Sequence, residues 1–396
     1  MTECNVSLQP TLRQRQMILA GLFASIFTFG TAFGGLVPWM ALVLEARHTN
    51  SLLIGLVAAG NSIGVTVAAP FVARLVRRFG TPATMLVSAL VAIVSMVLLP
   101  FCVSVPAWFV LRLISGMASA VPWIVSETWI NLLAGQQHRN RIFALYGAII
   151  AMGFATGPII LTLVGTEGSA AISCFIVLSV ISSVPIVLLK KFMPPLDEAT
   201  DHNLLRIFRA VPALLAAAFL SGALDAALFS FLPIWGLQTG LDRQFSLTLL
   251  SIFIAGNIVL QFPLGWLADH LGPRPVMLGC AVLCLLGPVA IMLSLQYHVL
   301  LAALFFVWGG SVWGAYTVAL AAMGRYFTGS SLAVANAAFV MVYTFANVIG
   351  PPLAGYAFDA WPPQGLMVVS FGVALIFALI APWPIRIAER NETGEP

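Results

Sequence analysis

Asp225 stands in the run Ser221-Gly-Ala-Leu-Asp225-Ala-Ala-Leu-Phe229, about halfway along an apolar segment with no basic residue within a turn or two. Arg112 stands in another such run, Arg112-Leu-Ile-Ser-Gly116-Met-Ala-Ser-Ala120. Ionisable groups in apolar segments are costly to keep, and each is therefore a functional candidate. A carboxyl at Asp225 could take and release a proton during a working cycle; the alternative is a hydrogen-bonded structural aspartate. The Arg112 guanidinium cannot deprotonate and needs an anionic or carbonyl partner. It is either a coupling or ligand-binding group or an anchor on backbone carbonyls. Other chemistry is poorly represented. The chain has no HExxH, no GxSxG, no paired-aspartate motif and no nucleotide-binding loop. His48, His138, His202, His270 and His298 all fall at connectors, and the five cysteines form no CxxC or Cys/His cluster. The expectation is no enzyme, no metal, no cofactor and no ATPase subunit.

The elements that must position these two charges follow from composition. Of 396 residues, 60% are hydrophobic and 8% charged, against about 25% charged in an ordinary soluble domain. Mean hydropathy is +1.01. A soluble enzyme is excluded, and a helical membrane protein is implied, since ~20 apolar residues cross a bilayer core of ~30 Å. Apolar runs broken by short polar or Pro/Gly connectors give twelve segments. They span roughly 17–44, 51–73, 82–104, 107–133, 141–164, 168–190, 210–237, 245–268, 274–295, 298–323, 331–357 and 362–386. The long polar connector 190–209 divides the chain into residues 1–189, the linker, and 210–396.

Charge placement orients the chain. With the amino terminus inside, Arg13, Arg15, Arg74, Arg77, Arg78, Arg139, Arg141, Lys190, Lys191, Arg206, Arg209, Arg274, Arg325, Arg386 and Arg390 are cytoplasmic, and only Arg47 and Arg243 are outside. Both termini are thereby placed in the cytoplasm, in keeping with an even helix count. The net charge of +4 is spread over loop ends and makes no nucleic-acid patch. The halves also repeat. Ala59-Gly60-Asn61 recurs as Ala255-Gly256-Asn257, Gly116 parallels Gly310, and Gly157-Pro158 parallels Gly350-Pro351. Gly153, Gly157 and Pro158, with Gly350 and Pro351 in the second half, mark close-packed, bendable points; simple tight packing is the alternative.

Three motifs carry a family resemblance. The connector after segment eight, Gly265-Trp-Leu-Ala-Asp269-His-Leu-Gly272-Pro-Arg274, resembles the GxLaDrxGrr loop of the major facilitator superfamily. Its counterpart, Ala73-Arg74-Leu-Val-Arg77-Arg78-Phe-Gly80, is degenerate, with Arg77 in place of the acid. Arg112 to Ala120 is similar to the family's RxxxGxxaA motif, and Gly153-x-x-x-Gly157-Pro158 to the core of its antiporter motif, with Leu161 and Thr162 where a glycine pair is usual. Residues 114–129 and 261–269 further resemble the YcaD-like branch. The resemblance implies an all-α polytopic fold of 12 transmembrane helices in two pseudo-symmetric six-helix bundles, and an alternating-access transporter.

Within that expectation, Glu127, ~22 Å along the helix from Arg112, pairs with Arg74, Arg77 or Arg78 as a cytoplasmic gate, or contacts substrate. Asp269 and Arg274, framed by Gly265 and Gly272, form the matching gate. Asn61, Trp123, Asn257, Gln261, Trp308, Trp313 and Tyr316 line a midplane cavity or, alternatively, bond between helices and fill space. Trp39, Trp108, Trp235, Trp361 and Trp383 fit the interface belts. The function expected is transport of a small amphipathic solute across the cytoplasmic (inner) membrane by a monomer, with proton-coupled export leading. Proton-coupled uptake of a small metabolite or metal chelate is the alternative, followed by facilitated diffusion.

Overall fold

A computed structural model describes residues 12–133, 135–189, 204–327 and 329–383. The described residues form helices α1 (Leu12–Ala46), α2 (Ser51–Phe79), α3 (Thr81–Leu98), α4 (Val105–Leu133), α5 (Gly135–Val164) and α6 (Ala170–Leu189). There follow α7 (Leu204–Ala210), α8 (Pro212–Gln238), α9 (Arg243–Leu271), α10 (Pro273–Leu293), α11 (His298–Tyr326), α12 (Gly329–Ala360) and α13 (Gly365–Ile380). A 3-10 turn, Leu99–Phe101, extends α3. Ten helices are long and apolar enough to cross a membrane, and Ala170–Pro185 and Gly365–Ile380 are shorter apolar helices. Part of the expected linker, 204–209, lies in the seven-residue helix α7; its residues 190–203 lie outside the described residues. The last helix starts later than expected, because Pro363 disfavours the helical region at Pro362, the residue before it.

Local chemistry sets the ends. Gly80 (φ +81°) and Gly272 (φ +89°) take the left-handed region at the α2–α3 and α9–α10 turns, each followed by a proline in the next first turn. Only glycine enters that region without cost, and proline suits a first turn, so chain direction reverses within a residue. The side chain of Asn50 accepts from the Leu52 N–H at 2.8 Å, and Asp242 accepts from Phe245 N–H at 2.8 Å. Both are N-caps of the kind that satisfy a helix's orphan donors.

Within the first six helices, α1 packs on α5 and α6, α2 on α4, and α3 on α4 and α6. From α8 onward, α8 packs on α12, α9 on α11, and α10 on α11 and α13. The contacts that join these two sets run between α2 and α12, α5 and α9, and α1 and α8. Small residues carry the approaches, as lipid offers no hydrophobic force between helices. A methyl on Gly116 would collide with the Asn61 backbone, and one on Gly157 with Gly35 and Gly34 of α1.

At one end of the bundle, the two sets are tied by polar bonds. Asp359, near the end of α12, accepts from the Ser51 and Leu52 N–H groups of α2, each at 3.0 Å. Arg243 of α9 donates to Thr166 Oγ1 at 2.7 Å and pairs with Glu167 at 3.3 Å. Nearby, Ser251 Oγ of α9 donates to the Ala155 carbonyl of α5 at 2.9 Å.

Candidate functional site

The two charges that stand out in the sequence arrive in one cavity from different helix sets. Arg112 enters from α4 and Asp225 from α8; both line a void of about 230 Å³, together with Asn61, Trp123, Phe154, Tyr316, Tyr343 and Asn347. Gly222 is what brings α8 against α12, since its missing side chain leaves room for the Tyr343 carbonyl. One turn later, Tyr343 Oη donates to Asp225 Oδ2 at 3.0 Å. The Trp313 indole of α11 lies against the Tyr343 ring, near the same carboxylate. Asn347 Nδ2 in turn donates to the Tyr343 carbonyl at 2.9 Å. An aromatic cluster of Trp313, Tyr316, Tyr343 and Phe339, with ring centroids 4.9–6.0 Å apart, fixes these donors.

Arg112 is held differently. It is 2% exposed, its Nε has no hydrogen-bond partner, and no ion pair joins it to Asp225 among the described residues. Its guanidinium lies 5.7 Å from the centroid of the Phe33 ring. A cation over an aromatic face contributes about 2 kcal/mol when desolvated. That falls short of the several kcal/mol an ion loses on leaving water. A second void of about 90 Å³, inside the α1–α6 set, also ends on Arg112 and is lined by Ser25, Ser88, Ser115 and Ser119 among apolar side chains. Most of those hydroxyls spend their proton on backbone carbonyls: Ser25 on Ser182 at 2.5 Å, Ser88 on Met85 at 2.9 Å, Ser119 on Ser115 at 2.7 Å.

The remaining predicted positions divide. Asn61, Trp123 and Tyr316 line the central void, and Asn61 Oδ1 has no partner there. Trp313 sits behind it, near the Asp225 carboxylate. Gln261 donates to Asn257 within α9, and both side chains lie away from the void. Trp308 differs from its expected place: it is 1% exposed, wedged against Gly287, Phe253 and Phe305, because its large indole fills the gap that glycine leaves. Trp39, Trp108 and Trp235 are likewise buried rather than at a belt, with Trp39 stacked on Trp108, whereas Trp361 and Trp383 are exposed.

The expected Asp269–Arg274 pair is replaced by another. Asp269 bonds Arg325 at 3.1 Å, since the end of α11 lies beside the end of α9, and Arg274 turns to the Pro382 carbonyl. Gly265 is open to space, and Gly272 makes the turn. Arg74 and Arg78 lie near the rings of Phe71 and Phe79, and Arg77 is exposed. The Glu127 side chain lies outside the described residues. Gly153 packs on Phe27 and Gly157 on Gly35, both of α1, with Pro158 next in α5. Gly350 packs on Ala223 of α8, and Pro351 lies on the cavity wall. Sequence reasoning missed Tyr343 and Asn347. The available signal was one of six tyrosines standing mid-segment, four residues before an asparagine.

Comparison with known proteins places this geometry among transporters. The family model described as Major Facilitator Superfamily matches residues 22–249 and 214–396. The uncharacterized MFS-type transporter YfkF of Bacillus subtilis is 26% identical over 85% of this chain and 88% of its own. The uncharacterized MFS-type transporter YcaD of Escherichia fergusonii is 22% identical over 93% and 95%. Among solved structures, the nucleoside transporter NupG superposes with a TM-score of 0.72 at 15% identity, covering 93% of this chain and 97% of that one. A bacterial homologue of the human lysosomal transporter Spinster, inward-facing and unoccupied, superposes with a TM-score of 0.72 at 12% identity, covering 93% and 95%.

Proposed function

The chain belongs to the Major Facilitator Superfamily, a family of transporters rather than enzymes, and on that premise we propose that it exports a small amphipathic solute in exchange for protons. The observation that carries this reading is the central cavity, with Asp225 and Arg112 on walls supplied by different helix sets. In this reading, residues 1–189 and 210–396 are two six-helix halves, joined by 190–209, that rock about the cavity in a monomer. The chain lies in the cytoplasmic membrane with both termini inside. The end tied by Asp359 and Arg243 is then the outer one, so the described state is closed to the outside. Solute enters from the cytoplasm, the outer bonds part as the opposite end closes, and solute leaves outward.

Asp225 is the proton carrier in this scheme. Its hydrogen-bond donor, Tyr343, is neutral, so no fixed cation holds the carboxylate in one charge state. Proton arrival from outside and loss to the cytoplasm would accompany the return of the empty cavity. The test is solute-driven proton flux in proteoliposomes. Asp225→Asn is expected to abolish concentrative transport while solute counterflow persists. Unchanged accumulation by that variant would end the coupling role.

A further inference from the structure

The cavity holds one carboxylate that a tyrosine of the protein bonds and one guanidinium whose buried Nε has no acceptor. Asp225 accepts from Tyr343. Arg112 is almost wholly buried, its Nε is without an acceptor, and both voids converge on it. A guanidinium keeps its charge at any relevant pH and presents five donors in a fork that fits a carboxylate. In a membrane interior such a group is retained where something pairs with it. From this we infer that the transported solute is a monocarboxylate whose acid group pairs with Arg112 while its apolar body lies in the central cavity; the inference rests on the transport reading above.

The walls set the rest of the molecule. Phe29, Phe33, Trp123, Phe154, Phe229 and Tyr316 surround the cavity, an apolar and aromatic lining with few directional demands. For comparison, an apolar cavity of roughly 150 Å³ takes up benzene, so about 230 Å³ suits a body of one or two rings or a short alkyl chain. A second negative charge is disfavoured. Arg112 is the one cation among the cavity's described lining residues, and a second acid group would face Asp225 without a partner. Dicarboxylates and phosphate monoesters are therefore disfavoured by the same geometry that admits a monoacid.

The experiment compares matched probes on the purified full-length protein in nanodiscs, by calorimetry and thermal stabilisation. The probes are 3-phenylpropanoate, 2-naphthylacetate and octanoate, each with its neutral amide, plus phenylsuccinate as a dianion. At least one monoacid is expected to bind, with its amide and the dianion about 30-fold weaker or more, as when one partner of a buried charge pair is removed. Arg112→Gln is expected to abolish the preference for acid over amide, and Arg112→Lys to restore part of it. Equal binding of an acid and its amide, binding unchanged in Arg112→Gln, or no binding of any monoacid would each overturn the inference. Should Arg112→Gln fail to fold, the acid, amide and dianion comparison on the wild-type protein decides alone. Counterflow separates the two readings. Carriage of an amide but not its acid leaves transport standing and removes the anion; binding of the acid without counterflow leaves the Arg112 site standing and removes transport.

Discussion

Asp359 offers the sharpest test of the rocking motion, because its two hydrogen bonds reach across from α12 to α2. Replacing it with alanine removes a carboxylate from the start of a helix, where an anion contributes about 0.3–1 kcal/mol through the helix dipole. It also removes two bonds of 3.0 Å to backbone N–H groups. The Leu52 N–H keeps its bond to Asn50 at 2.8 Å, so only the Ser51 donor loses its side-chain acceptor. A bond to a charged group contributes about 1.5 kcal/mol at the lower end of its range, the appropriate end for an exposed pair. Together these give about 2 kcal/mol, present when this end is closed and absent when it is open. Since every 1.4 kcal/mol is tenfold, Asp359→Ala is expected to raise the open-to-closed ratio roughly 30-fold. Spin labels at Leu53 and Tyr356, both exposed at this end, would report the ratio as a long-distance population in pulsed dipolar spectroscopy. A distribution indistinguishable from that of the wild type, or one shifted toward the short distance, would refute the assignment of Asp359 as a conformational latch.

Two further outcomes follow from the same geometry. Gly222→Leu drives a side chain into the Tyr343 carbonyl; it is expected to cost about 1–3 kcal/mol by overpacking, lowering Tm and displacing Tyr343 from Asp225, whereas Gly279→Leu, with open space at its Cβ, is expected to leave Tm unchanged. Exchange of one outgoing monoanion for one incoming proton moves two charges inward. At about 2.3 kcal/mol per charge per 100 mV, a 100 mV inside-negative potassium diffusion potential supplies about 4.6 kcal/mol and is expected to accelerate efflux, and efflux indifferent to that potential would exclude one-for-one exchange.

How much of this was legible in the sequence depends on how local each signal is. The α2–α3 and α9–α10 turns are readable because a proline follows Gly80 by two residues and Gly272 by one, and the two internal charges because charge is so rare in this chain. Partners were harder. Asp269, in the last turn of α9, is paired with Arg325, 56 residues away, rather than with Arg274 five residues on. That choice depends on the end of α11 packing beside the end of α9, which no local spacing encodes. Aromatic residues defeat sequence reading for a related reason. Phe33 on the cavity wall, Phe253 in the core and Phe262, exposed on the helix surface, all occur in similar apolar runs. Period alone separates a lipid face from a buried one poorly when both are apolar. Trp308 was misplaced on this account, and the partners of Asp225 were overlooked, since Tyr343 becomes meaningful only once Gly222 lets α12 close on α8.

The two charges differ in where their partners come from, and that difference suits a moving cavity. Tyr343, which holds Asp225, and Trp313, packed on the Tyr343 ring, belong to α12 and α11, and α8, α11 and α12 pack on one another. On the proposed motion this bond travels with its half, so the carboxylate keeps its donor in every state and its protonation is governed by access to water. Arg112 sits across the cavity with the Phe33 ring beside its guanidinium, and Phe33 is on α1 of its own set. Among the described residues, no acid of the opposite half pairs with it to neutralise the charge. The Phe154 and Phe229 rings meet edge to face across the gap, with centroids 5.8 Å apart, and a contact of that kind parts without breaking a directional hydrogen bond. A cavity arranged this way leaves the Arg112 charge and the Asn61 amide oxygen to whatever molecule occupies it. On that logic, binding of the solute and neutralisation of Arg112 are a single event, and the empty return differs from the loaded step in the charge that each carries across.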